Sequence, residues 1–182
     1  KMGVVMPTTG CGCTNTITGL LDGWQDNVPM MFVSGQINSY QTMDNYDTPL
    51  RQIGVQEADV IAIVKSITKY AVLVKDPKTI RYHVERAIHE AFSGRPGPVW
   101  LDIPLDVQSA MIDPNELEGY KIPDTSTKVT LNDFQQLLEH QSTSKRPVIL
   151  AGNGIRLSGA KEEFISFIEK YNIPVVNTYL AA

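Results

Sequence analysis

Short apolar runs and helical apolar patterns alternate along the first two thirds of the chain. Nearly continuous apolar runs predict buried strands at residues 2–6, 28–33, 71–74 and 99–103. Apolar residues at helical spacing predict helices at about 14–26, 56–67 and 79–92. Such alternation is typical of βαβ units, so we expect an α/β fold of parallel sheets with flanking helices.

The regular pattern stops after the fourth predicted strand and returns near residue 130. The segment 110–130 is polar and contains prolines, which predicts a linker by composition. It would separate a first domain, residues 1–109, from the beginning of a second, residues 131–182. The chain opens on Lys1 rather than Met, and we expect it to be a fragment of a longer protein.

The second domain opens with a recognisable helix start. Thr130 and Asp133 have the spacing of a capping box, and Leu131, Phe134, Leu137 and Leu138 would form the apolar side of the helix. A strand is expected at 147–151, followed by a glycine turn, and Ser158 is the predicted N-cap of a last helix. This order predicts part of a Rossmann-like domain.

Composition and charge exclude several classes of partner. The 182 residues carry a formal net charge of −4, which offers no basic surface for nucleic acid. No apolar run approaches the roughly 20 residues that span a bilayer, so no membrane partner is expected. Cys11 and Cys13 are too close in sequence to bridge each other readily, which predicts free thiols and a cytoplasmic protein. Without a second cysteine pair or clustered histidines, no metal site is predicted in this chain.

The glycine turn between the first strand and the first helix is the best candidate for a functional centre. Gly10 and Gly12 let the backbone turn sharply and approach a ligand closely. Taken alone, a turn of this kind is more often structural than a ligand loop. Gln36 follows the next strand and should lie at the same edge of the sheet, where open α/β folds bind their ligands. The turn Gly152-Asn153-Gly154 lacks the third glycine of a dinucleotide fingerprint.

Five segments of the chain, read together, carry a resemblance to a known family. They are residues 8–15, 26–36, 55–59, 68–69 and 93–104. In order and at matching spacing, they resemble the family motifs T-S-G-P-G-A-T-N, D-x-x-P...T-G-Q, F-Q-E-x-D, T-K and S-G-R-P-G-P-V-x-x-D-x-P. These motifs belong to the thiamine-diphosphate-dependent 2-keto-acid enzymes, and the resemblance is closest to acetolactate synthase large subunits. Residues 145–160 look like the opening of the family's central domain.

The resemblance implies both an architecture and an activity. This chain would supply the later part of a pyrimidine-binding domain and the beginning of a central domain. The activity would be decarboxylation of a 2-keto acid with carboligation, carried out by homo-oligomers that share cofactor sites. The family's catalytic glutamate would precede Lys1, and Mg²⁺ and the diphosphate would be held mainly by an absent third domain. We therefore expect no catalytic residue in this chain and no activity from it alone.

The resemblance also implies roles for individual residues. Cys11, Asn15 and Gln36 would bind the cofactor, the first two near the aminopyrimidine of a neighbouring subunit and Gln36 on the substrate side. Lys69 would lie near the entrance of the active site. Whether the central domain binds FAD is left open by the resemblance. The candidate residues for FAD binding are Gly152, Gly154 and Arg156.

Departures from the family motifs keep alternative functions open. Cys11 stands where the family has proline, Cys13 where it has alanine, and Val55 where it has the phenylalanine of F-Q-E. The last change removes an aromatic side chain from the pocket wall and brings the preference for pyruvate into question. The alternatives are a 2-keto-acid decarboxylase of the same family and a non-catalytic α/β module for oligomerisation or regulation.

Overall fold

The chain folds into two compact units. The computed structural model describes residues 1–124 and 130–181, and the two units comprise residues 1–123 and 124–182. Their division falls within the segment 110–130 that was expected to be a linker, of which residues 125–129 lie outside the described residues. The boundaries 1–109 and 131–182 remain predictions. In the described residues, no helix is long and apolar enough to cross a membrane.

A parallel sheet forms the centre of the first unit, and it confirms the predicted fold class. Its strands are β1 (Gly3–Val5), β2 (Met30–Gln36), β3 (Tyr70–Leu73) and β4 (Val99–Pro104). They lie in the order β1-β2-β4-β3, and every neighbouring pair is parallel. β2 is longer than its apolar run predicts, because its pairing with β4 continues as far as Gln36.

Helices connect and cover these strands. They are α1 (Cys11–Thr14), α2 (Ile17–Gln25), α3 (Val60–Val64), α4 (Ile80–Phe92) and α5 (Leu105–Gln108). Short 3₁₀ turns occupy Ser39–Gln41, Met43–Asn45, Lys65–Ile67, Pro77–Thr79 and Pro114–Glu116.

Two of these helices begin later than their apolar patterns predict. The helix expected at 14–26 starts at Ile17, because the hydroxyl of Thr16 donates to the carbonyl of Cys13 and a separate turn, α1, precedes it. The helix expected at 56–67 starts at Val60, where the carboxylate of Asp59 caps it by accepting from the Ala62 N–H at 2.9 Å. Gln56 has a positive φ and stands outside the helix.

Each face of the sheet carries an apolar cluster. Phe32, Trp100, Leu20, Val60, Val64 and Cys13 pack together under α1, α2 and α3. Met31, Val99, Leu101, Ala87 and Ala91 pack on the opposite face under α4. Because side chains alternate along a strand, Phe32, Ser34 and Gln36 share the first face with Trp100 and Asp102. The rings of Phe32 and Trp100 stack with their centroids 4.9 Å apart.

The second unit contains two short parallel strands and three helices within its described part. They are β5 (Ile149–Ala151), β6 (Val175–Asn177), α6 (Leu131–Thr143), α7 (Gly154–Leu157) and α8 (Lys161–Tyr171), with a final 3₁₀ turn at Tyr179–Ala181. The predicted capping box is confirmed, since the Asp133 carboxylate accepts from the Thr130 N–H at 2.8 Å and both of its arms are formed.

One expectation for this unit is wrong. Ser158 does not cap α8, because it ends α7, where its N–H donates to the carbonyl of Gly154. Gly159, with φ of 74°, then turns the chain before α8 begins at Lys161. The side chains on the predicted apolar side of α6 are exposed, from 48% at Phe134 to 89% at Leu131.

Candidate functional site

The glycine turn is braced by protein rather than open around Gly10. Gly10 has φ of 58°, a conformation that favours glycine, and a Cβ there would collide with the carbonyl oxygen of Gln56. Just before the turn, the Pro7 carbonyl accepts from the Gly35 N–H of β2 at 3.2 Å. The turn is therefore held between the end of β2 and the loop that follows it.

The two cysteines of the turn have opposite environments. Cys13 is 1% exposed within the apolar cluster, and burial raises the pKa of its thiol. Cys11 is exposed, and its carbonyl accepts from the Asn15 side-chain N–H at 2.7 Å. The structure thus brings Cys11 and Asn15 together on the exposed rim of the turn, whereas Cys13 is a packing residue.

Gln36 lies at the centre of a saturated hydrogen-bond network. Its Nε2 donates to the Ala58 carbonyl at 2.9 Å and to Asp102 Oδ2 at 3.0 Å. Its Oε1 accepts from the Thr9 hydroxyl and from the Ile37 N–H, each at 3.0 Å. A primary amide has two donors and two acceptor positions, so Gln36 meets its full hydrogen-bonding capacity inside the chain.

Asp102 is the buried charge that completes this network. It is 2% exposed, and its Oδ1 accepts from the Ser34 hydroxyl at 2.6 Å. Ser34 in turn accepts from the Trp100 indole N–H at 2.8 Å. Burial raises the pKa of Asp102 to about 6, against the opposing effect of the hydrogen bonds from Ser34 and Gln36.

The loop between β2 and α3 is fastened by two carboxylates. Glu57 Oε1 accepts from the Met43 N–H at 2.6 Å, and its Oε2 accepts from the N–H groups of Ile53 and Gly54 at 2.9 and 3.2 Å. Asp106 accepts from the N–H and the hydroxyl of Ser39, which lowers its pKa against the effect of burial. These carboxylates therefore connect the loop to backbone and side-chain groups of the first unit.

An open groove lies along the carboxyl ends of the strands. It has a volume of about 620 Å³, and it runs from the end of β1 across the ends of β2 and β4. Met6, Ile37 and Leu105 give it an apolar wall, and Thr8, Thr9 and Gln108 give it polar groups. Ligands of parallel α/β sheets bind at this edge.

The structure does not bring Lys69 to this edge. Lys69 precedes β3, and because the strands are parallel it lies at the opposite, amino-terminal edge of the sheet. Its ammonium donates to the Ser93 carbonyl, and burial lowers its pKa. It shares a cavity of about 460 Å³ with Trp24, Asn27 and Arg95.

The candidate nucleotide residues lie in the second unit. A cavity of about 360 Å³ at the ends of β5 and β6 is lined by Gly152, Asn153 and Arg156, and Gly154 begins α7 beside them. Arg156 Nε donates to Asn153 Oδ1 at 3.1 Å. Lys161 is a second cation in the lining that the sequence analysis did not single out. In neither unit do three His, Cys, Asp or Glu side chains of the described residues group as metal ligands would.

Comparison with known proteins assigns both units. Residues 1–63 match the N-terminal TPP binding domain of thiamine pyrophosphate enzymes, and residues 134–182 match the central domain of the same enzymes. The chain belongs to the thiamine pyrophosphate enzyme family. The first match contains the glycine turn, Gln36 and Glu57, so the groove lies at the edge of a TPP-binding domain.

The relatives of this thiamine pyrophosphate enzyme chain include several acetolactate synthases. It is 38% identical to the acetolactate synthase large subunit of Lactococcus lactis over 182 residues, which are 99% of this chain and 30% of the relative. It is 36% identical to the large subunit of Corynebacterium glutamicum, covering 100% of this chain and 28% of the relative. It is 33% identical to the chloroplastic acetolactate synthase of Arabidopsis thaliana, covering 99% and 26%. The chain thus spans about three tenths of the length of these relatives.

Sequence reasoning missed the side chains that hold the carboxyl-terminal edge of the sheet in the first unit. Asp102, Glu57, Asp106 and the Thr9 hydroxyl were given no role. For Asp102 a signal was available, because it is a single charged residue inside an apolar strand, and such a charge must be paired when it is buried. For Glu57 no comparable signal exists, since its partners are backbone N–H groups of a loop.

Proposed function

We propose that this chain works as part of a longer, thiamine-diphosphate-dependent enzyme that decarboxylates a 2-keto acid and joins the product to a second carbonyl compound, as an acetolactate synthase would. The observation that carries the proposal is the ordered edge of the first unit. There the glycine turn, Gln36 and the loop before α3 meet beside a groove, within the segment that matches a TPP-binding domain.

The groove fits the aminopyrimidine half of the cofactor. A flat ring with polar edges needs an apolar wall and a few hydrogen-bonding groups, and the groove offers both. Cys11 and Asn15 lie on the exposed rim of the turn, where a neighbouring subunit could present its cofactor to them. Gln36 has no unused hydrogen-bonding group, so we assign it the role of supporting this wall.

The part played by this chain is orientation. When bound, thiamine diphosphate supplies the electron sink for cleavage of the bond to the departing carboxylate. The chain's own residues hold one wall of the site in place and line it with apolar side chains such as Met6 and Leu105. Their contribution is a fixed geometry before substrate arrives, which is a large component of enzyme catalysis.

Mg²⁺ and the diphosphate are assigned to another part of the complete enzyme. In the first unit, Lys69 and Arg95 line a cavity at the amino-terminal edge of the sheet, away from the groove. In the second unit, Gly152, Arg156 and Lys161 surround a cavity that suits the phosphates of FAD or another adenine nucleotide. Gly154 is included in this proposed nucleotide site.

The partners proposed here follow from the same site. The small-molecule substrate is a 2-keto acid, and the complete enzyme is a cytoplasmic homo-oligomer in which neighbouring subunits share cofactor sites. Val55 is 82% exposed and stands where the family motif has phenylalanine, which supports a preference for a 2-keto acid other than pyruvate. This observation keeps a 2-keto-acid decarboxylase as the second candidate.

Calorimetry and product analysis test this proposal. The 182-residue chain alone should show no measurable Mg²⁺-dependent binding of thiamine diphosphate, whereas the full-length protein should bind it. With 2-keto acids of increasing size, the full-length protein should release carbon dioxide and form a 2-hydroxy-ketone product. Aldehyde as the sole product would favour the decarboxylase, and a full-length protein without turnover would favour the non-catalytic module. Tight cofactor binding by the isolated chain would contradict a shared site.

A further inference from the structure

The buried network at the end of β2 is a chain of contacts that leads from Asp102 to the glycine turn. Asp102 on β4 contacts Gln36 on β2, Gln36 contacts Thr9, and Thr9 immediately precedes Gly10 in the glycine turn. Of these residues only Asp102 can be charged, and it lies deepest, with 2% of its surface exposed. The turn is thus connected to a buried charge through one side-chain amide.

The Asp102 carboxylate is one of the groups that determine the orientation of the Gln36 amide. An ionised carboxylate only accepts hydrogen bonds, so the Gln36 atom facing Asp102 Oδ2 must be the donor Nε2. The second Nε2 proton is taken by the Ala58 carbonyl, which likewise only accepts. Oε1 is therefore directed to the opposite side, where it accepts from the Thr9 hydroxyl. A donating group at position 102 would oppose this orientation, which the Ala58 carbonyl and the Ile37 N–H would then hold alone.

We propose that Asp102 is a positioning residue of the cofactor site: its carboxylate holds the Gln36 amide in one orientation, and that amide holds Thr9 and the glycine turn in place. Asp102 does this without touching the groove, whose lining includes Gln36 and Thr9. The functional consequence for cofactor binding rests on the function proposed above, whereas the structural relation of the three residues does not.

The surroundings of Asp102 define the charges that affect it. It lines a cavity of about 350 Å³ together with Glu57 and Asp59, and the negative charge of Asp59 acts on it. The carboxylate of Glu57 is occupied by backbone N–H groups of the loop. From α1, the thiol of Cys13 is the titratable group influenced by Asp102. Ser34, on the neighbouring strand, contacts the other carboxylate oxygen, Oδ1.

Nuclear magnetic resonance of the ¹⁵N-labelled 182-residue chain tests the structural relation directly. In the unsubstituted chain, the side-chain amide of Gln36 and the backbone amides of Thr9 and Gly10 should titrate together with one midpoint near pH 6. Asp102→Asn should abolish this titration and shift the Thr9 and Gly10 signals. The matched control is Ser34→Ala, which removes the hydrogen bond to the other carboxylate oxygen of Asp102. In this variant, Thr9 and Gly10 should still titrate together with Gln36.

A further variant, Thr9→Val, tests the proposal if Asp102→Asn fails to fold. Thr9→Val removes only the hydroxyl at the end of the network, so it should shift Gly10 while the Gln36 amide still titrates. In the full-length protein, Thr9→Val and Asp102→Asn should each raise the dissociation constant for thiamine diphosphate about tenfold.

The outcomes separate the two proposals. Unchanged Thr9 and Gly10 signals in Asp102→Asn, or titration of Gln36 without Thr9 and Gly10 in the unsubstituted chain, would overturn the positioning role. Unchanged cofactor affinity of the full-length Asp102→Asn protein would overturn it as well, because the cofactor site would then not depend on this carboxylate. Failure of the unsubstituted full-length protein to bind the cofactor would instead count against the proposed function, and the resonance result would stand.

Discussion

At the scale of the residue, the burial of Asp102 makes stability depend on pH in a direction opposite to that of most carboxylates. Its folded pKa of about 6 lies above the ordinary value of 3.8, so between these values the folded chain binds more protons than the unfolded chain. Its contribution to the free energy of unfolding is therefore full below pH 3.8 and is lost as the pH rises through 6. The loss amounts to about 3 kcal/mol.

Comparison of the unsubstituted chain with Asp102→Asn isolates this contribution. The free energies of unfolding of both proteins are measured by urea denaturation at pH 4 and at pH 7.5. Between these two pH values, the unsubstituted chain should lose about 3 kcal/mol of stability relative to Asp102→Asn. Other carboxylates, such as Asp106, have lowered pKa values and act in the opposite direction, but they are present in both proteins. A difference that stays constant with pH would contradict the assigned pKa.

Gly10 provides a second prediction at this scale. Gly10→Ala should lower the free energy of unfolding by about 2 to 4 kcal/mol, because alanine is strained at positive φ and its Cβ would displace Gln56. Gly19→Ala is the matched control, since Gly19 lies within α2 and a Cβ there meets no atom within 4 Å. That substitution should stabilise the chain by about 0.5 to 1 kcal/mol. Thermal denaturation of both variants measures the contrast, and equal effects would refute it.

At the scale of the element, the loop between β2 and α3 depends on Glu57. In Glu57→Gln one of the two carboxylate oxygens becomes an amide N–H₂ facing backbone donors, so the loop should lose about 1 to 3 kcal/mol of local stability. Hydrogen exchange at Met43, Ile53 and Gly54 should accelerate by about tenfold or more. Glu139→Gln makes the same charge change on exposed α6, and it should leave these three amides unaffected. Unchanged protection in Glu57→Gln would show that the loop is held by other contacts.

At the scale of the whole molecule, the first unit contains its own core. Both apolar clusters and the Asp102 network are formed entirely from residues that precede Pro123. A chain ending at Pro123 should therefore keep its near-ultraviolet circular dichroism from Trp100 and should unfold cooperatively. Loss of that signal in the shortened chain would mean that residues 124–182 are required for the core to form.

The sequence predicts local features of this molecule better than its long-range contacts. Apolar periodicity is a property of neighbouring residues, and it correctly locates the four strands, α4 and the capping box of α6. The end of β2 at Gln36 does not follow from it, because the apolar run stops at Val33. The contact of Gln36 with Asp102 does not follow from it either, because it depends on the pairing of β2 with β4, and the two residues lie 66 positions apart in the sequence. Lys69 falls on the other edge of the sheet for the same reason, since the direction of β3 decides its place.

The saturated amide of Gln36 has a consequence for how this chain can change over generations. A glutamate at position 36 would set two carboxylates against each other, and an apolar residue there would leave Asp102 and Ala58 without a donor. A change at position 102 alone would leave the amide without its fixed acceptor. We therefore expect substitutions at these two positions to be tolerated mainly as pairs. A protein that has lost one partner should replace the other before the sequence of the glycine turn changes.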